Sequence, residues 1–261
     1  TDLASPEKLV ERELTDIEGD YRTIVDLLTD QIEFANVIIL NKTDLVDKNT
    51  LEVIKEVIHK LNPKAIIIES SFSKVALSKI LNTGLFDFEE AEQNAGWIEE
   101  LEKEEHNPET DEYGINSFVF KSKKPFDPDR FWNYLQYDFP GNILRSKGLF
   151  WLASRPNQAL VWNQAGASLK ADSAGVWWSS MPYESRIRQV AFVENIKLIE
   201  SDWDVNFGDR KNEIVFIGQN LDKKLIYSHL NDCLANDKEL ATSNWQLGYQ
   251  DEWPVERAYA L

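Results

Sequence analysis

The chain has 261 residues, 43% of them hydrophobic and 11% aromatic, which is enough to build a core and excludes wholesale disorder. With 45 acidic against 28 basic residues the net charge is −17, which disfavours nucleic acid as a partner, and no apolar run is long enough to span a membrane. No basic-then-apolar leader is visible and the single cysteine, Cys233, cannot close an internal disulfide, so the expected compartment is the reducing cytoplasm.

The first elements alternate helix and strand. Ile17, Tyr21, Ile24, Leu28 and Ile32 recur at helical spacing and predict a helix between Asp16 and Ala35. Val37-Ile38-Ile39-Leu40 is short, continuous and β-branched, as a strand covered on both faces would be. After Asn41-Lys42-Thr43-Asp44, Asn49 and Glu52 form a capping-box pattern ahead of a stripe at Leu51, Ile54, Ile58 and Leu61. Asn62-Pro63 ends that helix, Ala65 to Ile68 predicts a second buried strand, and a third helix is expected from Lys74 to Leu81. This alternation argues for an α/β parallel sheet, in which ligands sit beyond the C-terminal ends of the strands.

Charge then marks a boundary. Residues 1–113 hold 27 acidic and 11 basic side chains, a net of −16, whereas residues 114–261 hold 18 and 17, a net of −1. Twelve carboxylates and one lysine lie between Asp87 and Glu112, a self-repelling run with the character of a solvated linker. The second unit opens with an alternating strand, Ile115 to Phe120, followed by Asp127-Pro128, an N-cap with proline at the first helical position. Leu149 to Leu152 and Ala159 to Trp162 predict strands joined by a turn at Arg155 to Gln158, and Ser168 to Trp178 adds one or two more. A strand at Glu213 to Ile217 and a helix from Asp222 to Leu234 complete a β-α-β-β…β-α order, the pattern of a ferredoxin-like α+β sandwich.

Asn41-Lys42-Thr43-Asp44 carries the sharpest chemistry. A carboxylate on a rigid loop can accept from both N1–H and the 2-amino group of guanine, a donor pair that adenine lacks. Asn41 can brace the loop, and the stem of Lys42 can cover the ring plane. After the second strand, Glu69-Ser70-Ser71-Phe72-Ser73-Lys74 occupies the place where GTPases keep a loop that donates backbone N–H to guanine O6, with Ser71 the candidate residue there. The segment Gln31 to Leu45 resembles the guanine-specificity segment of the CobW-like family of P-loop GTPases, the cobalamin-biosynthesis and zinc-homeostasis metallochaperones. Glu105 to Phe120 and Gly208 to Gly218 resemble the zinc-associated branch of that family.

The resemblance implies a GTPase domain that uses GTP and magnesium, an α+β C-terminal domain, zinc or cobalt as cargo and a client metalloprotein as partner. The family's phosphate-cradling Gly-x4-Gly-Lys-Ser/Thr and its Cys-x-Cys-Cys motif are absent from these 261 residues, and the only methionine is Met181. The chain is therefore expected to be a C-terminal portion that does not hydrolyse GTP alone. Its expected layout is part of a GTPase domain over 1–86, an acidic linker over 87–113, a CobW-type domain over 114–240 and a tail over 241–261. The different-class alternative is a protein–protein interaction module with no nucleotide role. Glu105, His106 and Glu109 offer one imidazole and two carboxylates that could take zinc; the plainer account is an acidic linker containing one histidine. Trp151, Trp162 and Trp177-Trp178 are expected as packing, Lys121, Lys123 and Lys124 as a solvated turn, and Cys233 as a buried small side chain. The two apolar strands of the first unit, without further neighbours, are expected to leave an uncovered face that loosens or recruits a second copy of the chain.

Overall fold

Helix α1 (Ile24–Phe34) begins where Thr23 and Asp26 close a capping box, the Thr23 hydroxyl accepting from the Asp26 N–H at 3.2 Å and the Asp26 carboxylate from the Thr23 N–H at 3.0 Å. The computed structural model describes residues 8, 9, 11, 23–86, 114–242 and 244–255. The acidic run 87–113, and with it Glu105, His106 and Glu109, lies outside the described residues. Strands β1 (Val37–Leu40) and β2 (Ile66–Glu69) pair in parallel, in register from Val37 opposite Ile66 to Leu40 opposite Glu69, and helix α2 (Lys48–Leu61) connects them.

Two local expectations are corrected. The cap of α2 is Asp47, whose carboxylate accepts from the Thr50 N–H at 3.0 Å and from the Thr50 hydroxyl at 2.7 Å. Glu52 instead takes the Lys55 ammonium at 3.0 Å, so the box at Asn49 does not form. The helix expected over Lys74 to Leu81 is reduced to a single 3₁₀ turn, Leu77–Lys79, with no side-chain cap. Eight residues without a cap or a packing face cannot repay helix nucleation.

The second unit is a five-stranded antiparallel sheet of β3 (Ile115–Ser122), β4 (Ile143–Phe150), β5 (Gln158–Ala165), β6 (Ser168–Val176) and β7 (Asn212–Gln219), in the order β3-β7-β4-β5-β6. Because β3 and β4 both run antiparallel to β7, they are parallel to each other, a split β-α-β unit crossed by helix α3 (Pro128–Asn133). Asp127 caps α3 by accepting from the Arg130 N–H at 2.9 Å, and a π-helical turn, Tyr134–Asp138, follows. Between β6 and β7 lie helices α4 (Tyr183–Arg186) and α5 (Val190–Ser201), which the sequence pattern did not foretell. Helices α6 (Lys223–Asp232) and α7 (Asp237–Leu240) come last.

The main core fills the face of the sheet under α3 and α6. Phe118, Phe120, Phe150, Trp162 and Phe216 meet Phe131, Ile226 and Leu230 there, and the Phe126 and Phe131 rings stack 4.0 Å apart. Trp253 closes this core, its indole N–H donating to the Pro128 carbonyl at 3.1 Å. Trp151 and Trp177 are buried in a cluster of their own, Trp178 packs on Phe192, and Cys233 is buried, each as expected. The lysines do not form a free turn: Lys121 pairs with Glu213 at 2.8 Å, Lys123 with Asp202 at 2.7 Å and Lys124 with Asp237 at 2.6 Å. Those acids arrive from β7, from the end of α5 and from α7, a tertiary gathering that no local pattern encodes. On the outer margin of β3 the Tyr227 hydroxyl accepts from the Lys121 N–H at 3.4 Å and donates to the Val119 carbonyl at 2.9 Å.

The opposite face of this sheet receives helices α1 and α2 of the first unit, whereas β1 and β2, expected to be covered on both faces, carry no buried residue. Leu61 of α2 packs with Val119, Val215 and Ile217. Arg145 of β4 reaches Glu33 of α1 through two hydrogen bonds of 2.6 and 2.9 Å, and its guanidinium also meets the Asn163 side chain. Ser168 donates to Asp26 at 2.9 Å. Asn62 locks the first unit internally, its amide N–H₂ donating to the carbonyls of Ile32, Glu33 and Ala35 while its oxygen accepts from the N–H groups of Lys64 and Ala65. Ile39 and Ile66 remain exposed on the small sheet.

Candidate functional site

Two loops leave the C-terminal ends of β1 and β2 side by side. The first is Asn41 to Asp44, the second Ser70 to Ser73. Lys42 takes a left-handed conformation, φ 62°, which turns the chain into a 3₁₀ turn over Thr43–Leu45. The loops are joined by backbone and side chain: the Ser70 N–H donates to the Leu40 carbonyl at 2.8 Å and the Thr43 N–H to the Ser70 carbonyl at 3.2 Å. The Thr43 hydroxyl also donates to the Ser70 carbonyl at 3.1 Å and lies 3.2 Å from the Ser71 hydroxyl.

Asn41 is held at both ends of its carboxamide. Its N–H₂ donates to the Ser73 hydroxyl and its oxygen accepts from the Ser73 N–H, each at 2.9 Å. That amide is therefore spent on bracing the loops rather than on free recognition. Behind them Glu69 pairs with Lys55 at 2.9 Å, and the hydrogen bonds that the Lys55 ammonium donates to Glu69 and Glu52 hold it above its usual range. The Thr50 hydroxyl and N–H hold the Asp47 carboxyl below its own.

Against this braced background some groups are unpartnered. Asp44 and Lys42 are exposed and make no side-chain hydrogen bond or ion pair among the described residues. The N–H groups of Ser71 and Phe72 have no acceptor there either. The Ser70 hydroxyl is buried without a partner. An acceptor carboxylate on one loop and two free backbone donors on the other thus stand at the C-terminal ends of the paired strands. The structure brings Asn41, Lys42, Asp44 and Ser71 together; Ser73 escaped the sequence reading. Its signal is spacing alone, a hydroxyl four residues past the end of β2, where Asn41 needs a partner.

A cavity of about 660 Å³ lies elsewhere, between α5 and the sheet, with Trp177, Trp178 and Leu198 on its walls. Along it runs a ladder in which Glu213 joins Lys121 to Lys211 and Asp202 joins Lys211 to Lys123, so these five charges are already paired. Among the described residues no three His, Cys, Asp or Glu side chains gather as a metal would need, and no helix is long and apolar enough to cross a membrane.

Residues 8–69 match the family described as CobW/HypB/UreG, nucleotide-binding domain, and residues 115–234 match the Cobalamin synthesis protein cobW C-terminal domain. The chain belongs to the CobW family. It is 42% identical over 240 residues to Zinc-regulated GTPase metalloprotein activator 1 of Dictyostelium discoideum, an overlap of 90% of this chain and 49% of that protein. It is 31% identical over 140 residues to Zinc chaperone CobW of a Sinorhizobium species, covering 53% of this chain and 39% of the relative. The CobW-family chain thus spans about half the length of the first relative and less of the second. Among solved structures, Zn(II)-bound YjiA GTPase from E. coli aligns over 80% of this chain and 55% of its own, with 19% identity and a TM-score of 0.38.

Proposed function

We propose that this chain supplies the guanine-selecting loop and the client-facing domain of a GTP-dependent metallochaperone that delivers zinc or cobalt to a metalloprotein. The observation that carries it is the braced pair of loops at the C-terminal ends of two parallel strands, which leaves the Asp44 carboxylate free beside the Ser71 and Phe72 N–H groups. Asp44 accepts from N1–H and the 2-amino group of guanine, the Ser71–Phe72 backbone donates to O6, Lys42 covers a ring face, and Asn41 and Ser71 hold the two loops in register. The relatives, a zinc-regulated GTPase metalloprotein activator and a zinc chaperone, support the metal side.

No Gly-x4-Gly-Lys-Ser/Thr occurs in these residues, so phosphate and magnesium handling is not assigned to any of them. We assign 1–86 to the nucleotide-binding unit, 87–113 to an acidic linker, 114–240 to the client- or oligomer-facing domain and 241–261 to a tail. Glu105, His106 and Glu109 are the proposed zinc donors of the linker, a role that zinc uptake by calorimetry, lost in His106→Ala, would support.

Base selection is tested by Asp44→Asn. The swap turns an acceptor into a donor opposite the 2-position, so guanosine should weaken and xanthosine strengthen, each by about tenfold or more. Competition between the two nucleosides measures it. An unchanged preference would return the chain to the class of interaction modules without a nucleotide role.

A further inference from the structure

A purine has two faces, and the proposed site supplies a cover for only one of them, the stem of Lys42. The neighbouring loop carries an aromatic side chain that makes no ring contact among the described residues. Phe72 is 78% exposed and packs into none of the hydrophobic clusters. Its backbone has φ 57°, and Ser73 beside it has φ 55°, a conformation that residues bearing a Cβ avoid and asparagine or glycine would take more readily. Exposure forfeits the burial that a phenyl ring gains in a core, and the backbone is strained as well. A loop built only to donate backbone N–H would be served better by glycine at this position. Its immediate neighbours are fixed: Ser71 lies against Thr43, and Ser73 clamps Asn41.

We propose that Phe72 is the second stacking surface of this site, a base-contacting residue that adds affinity for a purine ring without choosing which purine. The proposal rests on the guanine role of Asp44. Stacking on an aromatic ring is indifferent to the donor–acceptor pattern at the base edge, because every base has a π-face. Affinity and selectivity should therefore separate between the two residues, Asp44 setting preference and Phe72 setting strength for whichever nucleoside is preferred.

The test measures guanosine, xanthosine and adenosine by saturation-transfer NMR against the 261-residue chain, in wild type and in Asp44→Asn, each with and without Phe72→Ala, Phe72→Gly or Phe72→Tyr. Removing the ring should weaken guanosine in the wild-type background, and xanthosine in the Asp44→Asn background, by at least about fivefold while leaving the preference ratios unchanged. Phe72→Tyr should restore binding. Phe72→Gly should melt at or above the wild-type temperature, since glycine relieves the positive φ, whereas a structural role for the ring would lower it. Switched preference in Asp44→Asn with ring removal changing affinity by less than about twofold overturns the stacking role and leaves the guanine role standing. Equal, Asp44-insensitive signals from all three nucleosides, or none from any, overturn both.

Discussion

Asp251 shows burial and pairing in opposition at a single carboxylate. Burial alone raises its pKa, but the Arg155 guanidinium, at 2.5 and 2.9 Å, and the Ser154 hydroxyl, at 2.6 Å, outweigh that and hold it below the usual range. With the folded value depressed, the carboxylate contributes stability that is complete above the unfolded value, near 4, and is lost as pH falls through the folded one. Asp251→Asn leaves Arg155 buried beside a neutral partner, so it should cost about 3 kcal/mol at neutral pH and flatten the acid limb of the stability curve. Urea melts at neutral and acid pH measure both effects. Burial also pushes the Cys233 thiol up to about 12, which keeps it protonated at neutral pH. The burial of Cys233 was legible from its apolar neighbours in the sequence. The Arg155–Asp251 pair was not, because its members lie 96 positions apart and neither carries a local signature. The loop at Asn41 to Asp44 was legible because its chemistry is contiguous, while its brace at Ser73, 32 positions away, was hidden.

Strands and helices divide the same way. β1, β3 and β7 announce themselves by continuous or alternating apolar residues, and α3 by a cap that forms as written, Asp127 on Arg130. Helix α5 gave no such notice because Phe192 is its one buried residue, while Val190, Val193 and Leu198 point to solvent and blur any stripe. The lost helix after Lys74 is the converse case, an apolar pattern with nothing to pack against. Contact between strands sets a sharper rule at Gly148 of β4, where a Cβ would overlap the Glu213 carbonyl oxygen and the Ile214 backbone of β7. Both neighbours are main chain and cannot swing aside. Gly148→Ala should therefore destabilise by more than about 2 kcal/mol, read as a lower urea midpoint, with Gly141→Ala, where no atom lies in the way, as the mild control.

For the whole molecule, the decisive contact is between the units. Arg145 and Glu33 are both buried, 112 positions apart, and join the helix that precedes β1 and the Asn41–Asp44 loop to the centre of the antiparallel sheet. Arg145→Met strands a buried carboxylate and should cost about 3 to 5 kcal/mol, whereas adding Glu33→Gln should recover part of that loss. A double-mutant cycle in urea measures the coupling, and hydrogen exchange should quicken in α1 and β1 before it does in β7. The sequence showed a charge asymmetry between the halves and two fold classes in succession. It could not show that the acidic half rests on the near-neutral one, because the docking surface is made of alternate residues from β3, β4 and β7 that become one face only when the sheet has formed. The phenol on β3 has a consequence at this scale. With Tyr227 holding the Val119 carbonyl and the Lys121 N–H, those two main-chain groups of border strand β3 are withheld from any strand that would add there. Strand addition at that part of β3 would first have to displace the Tyr227 hydroxyl.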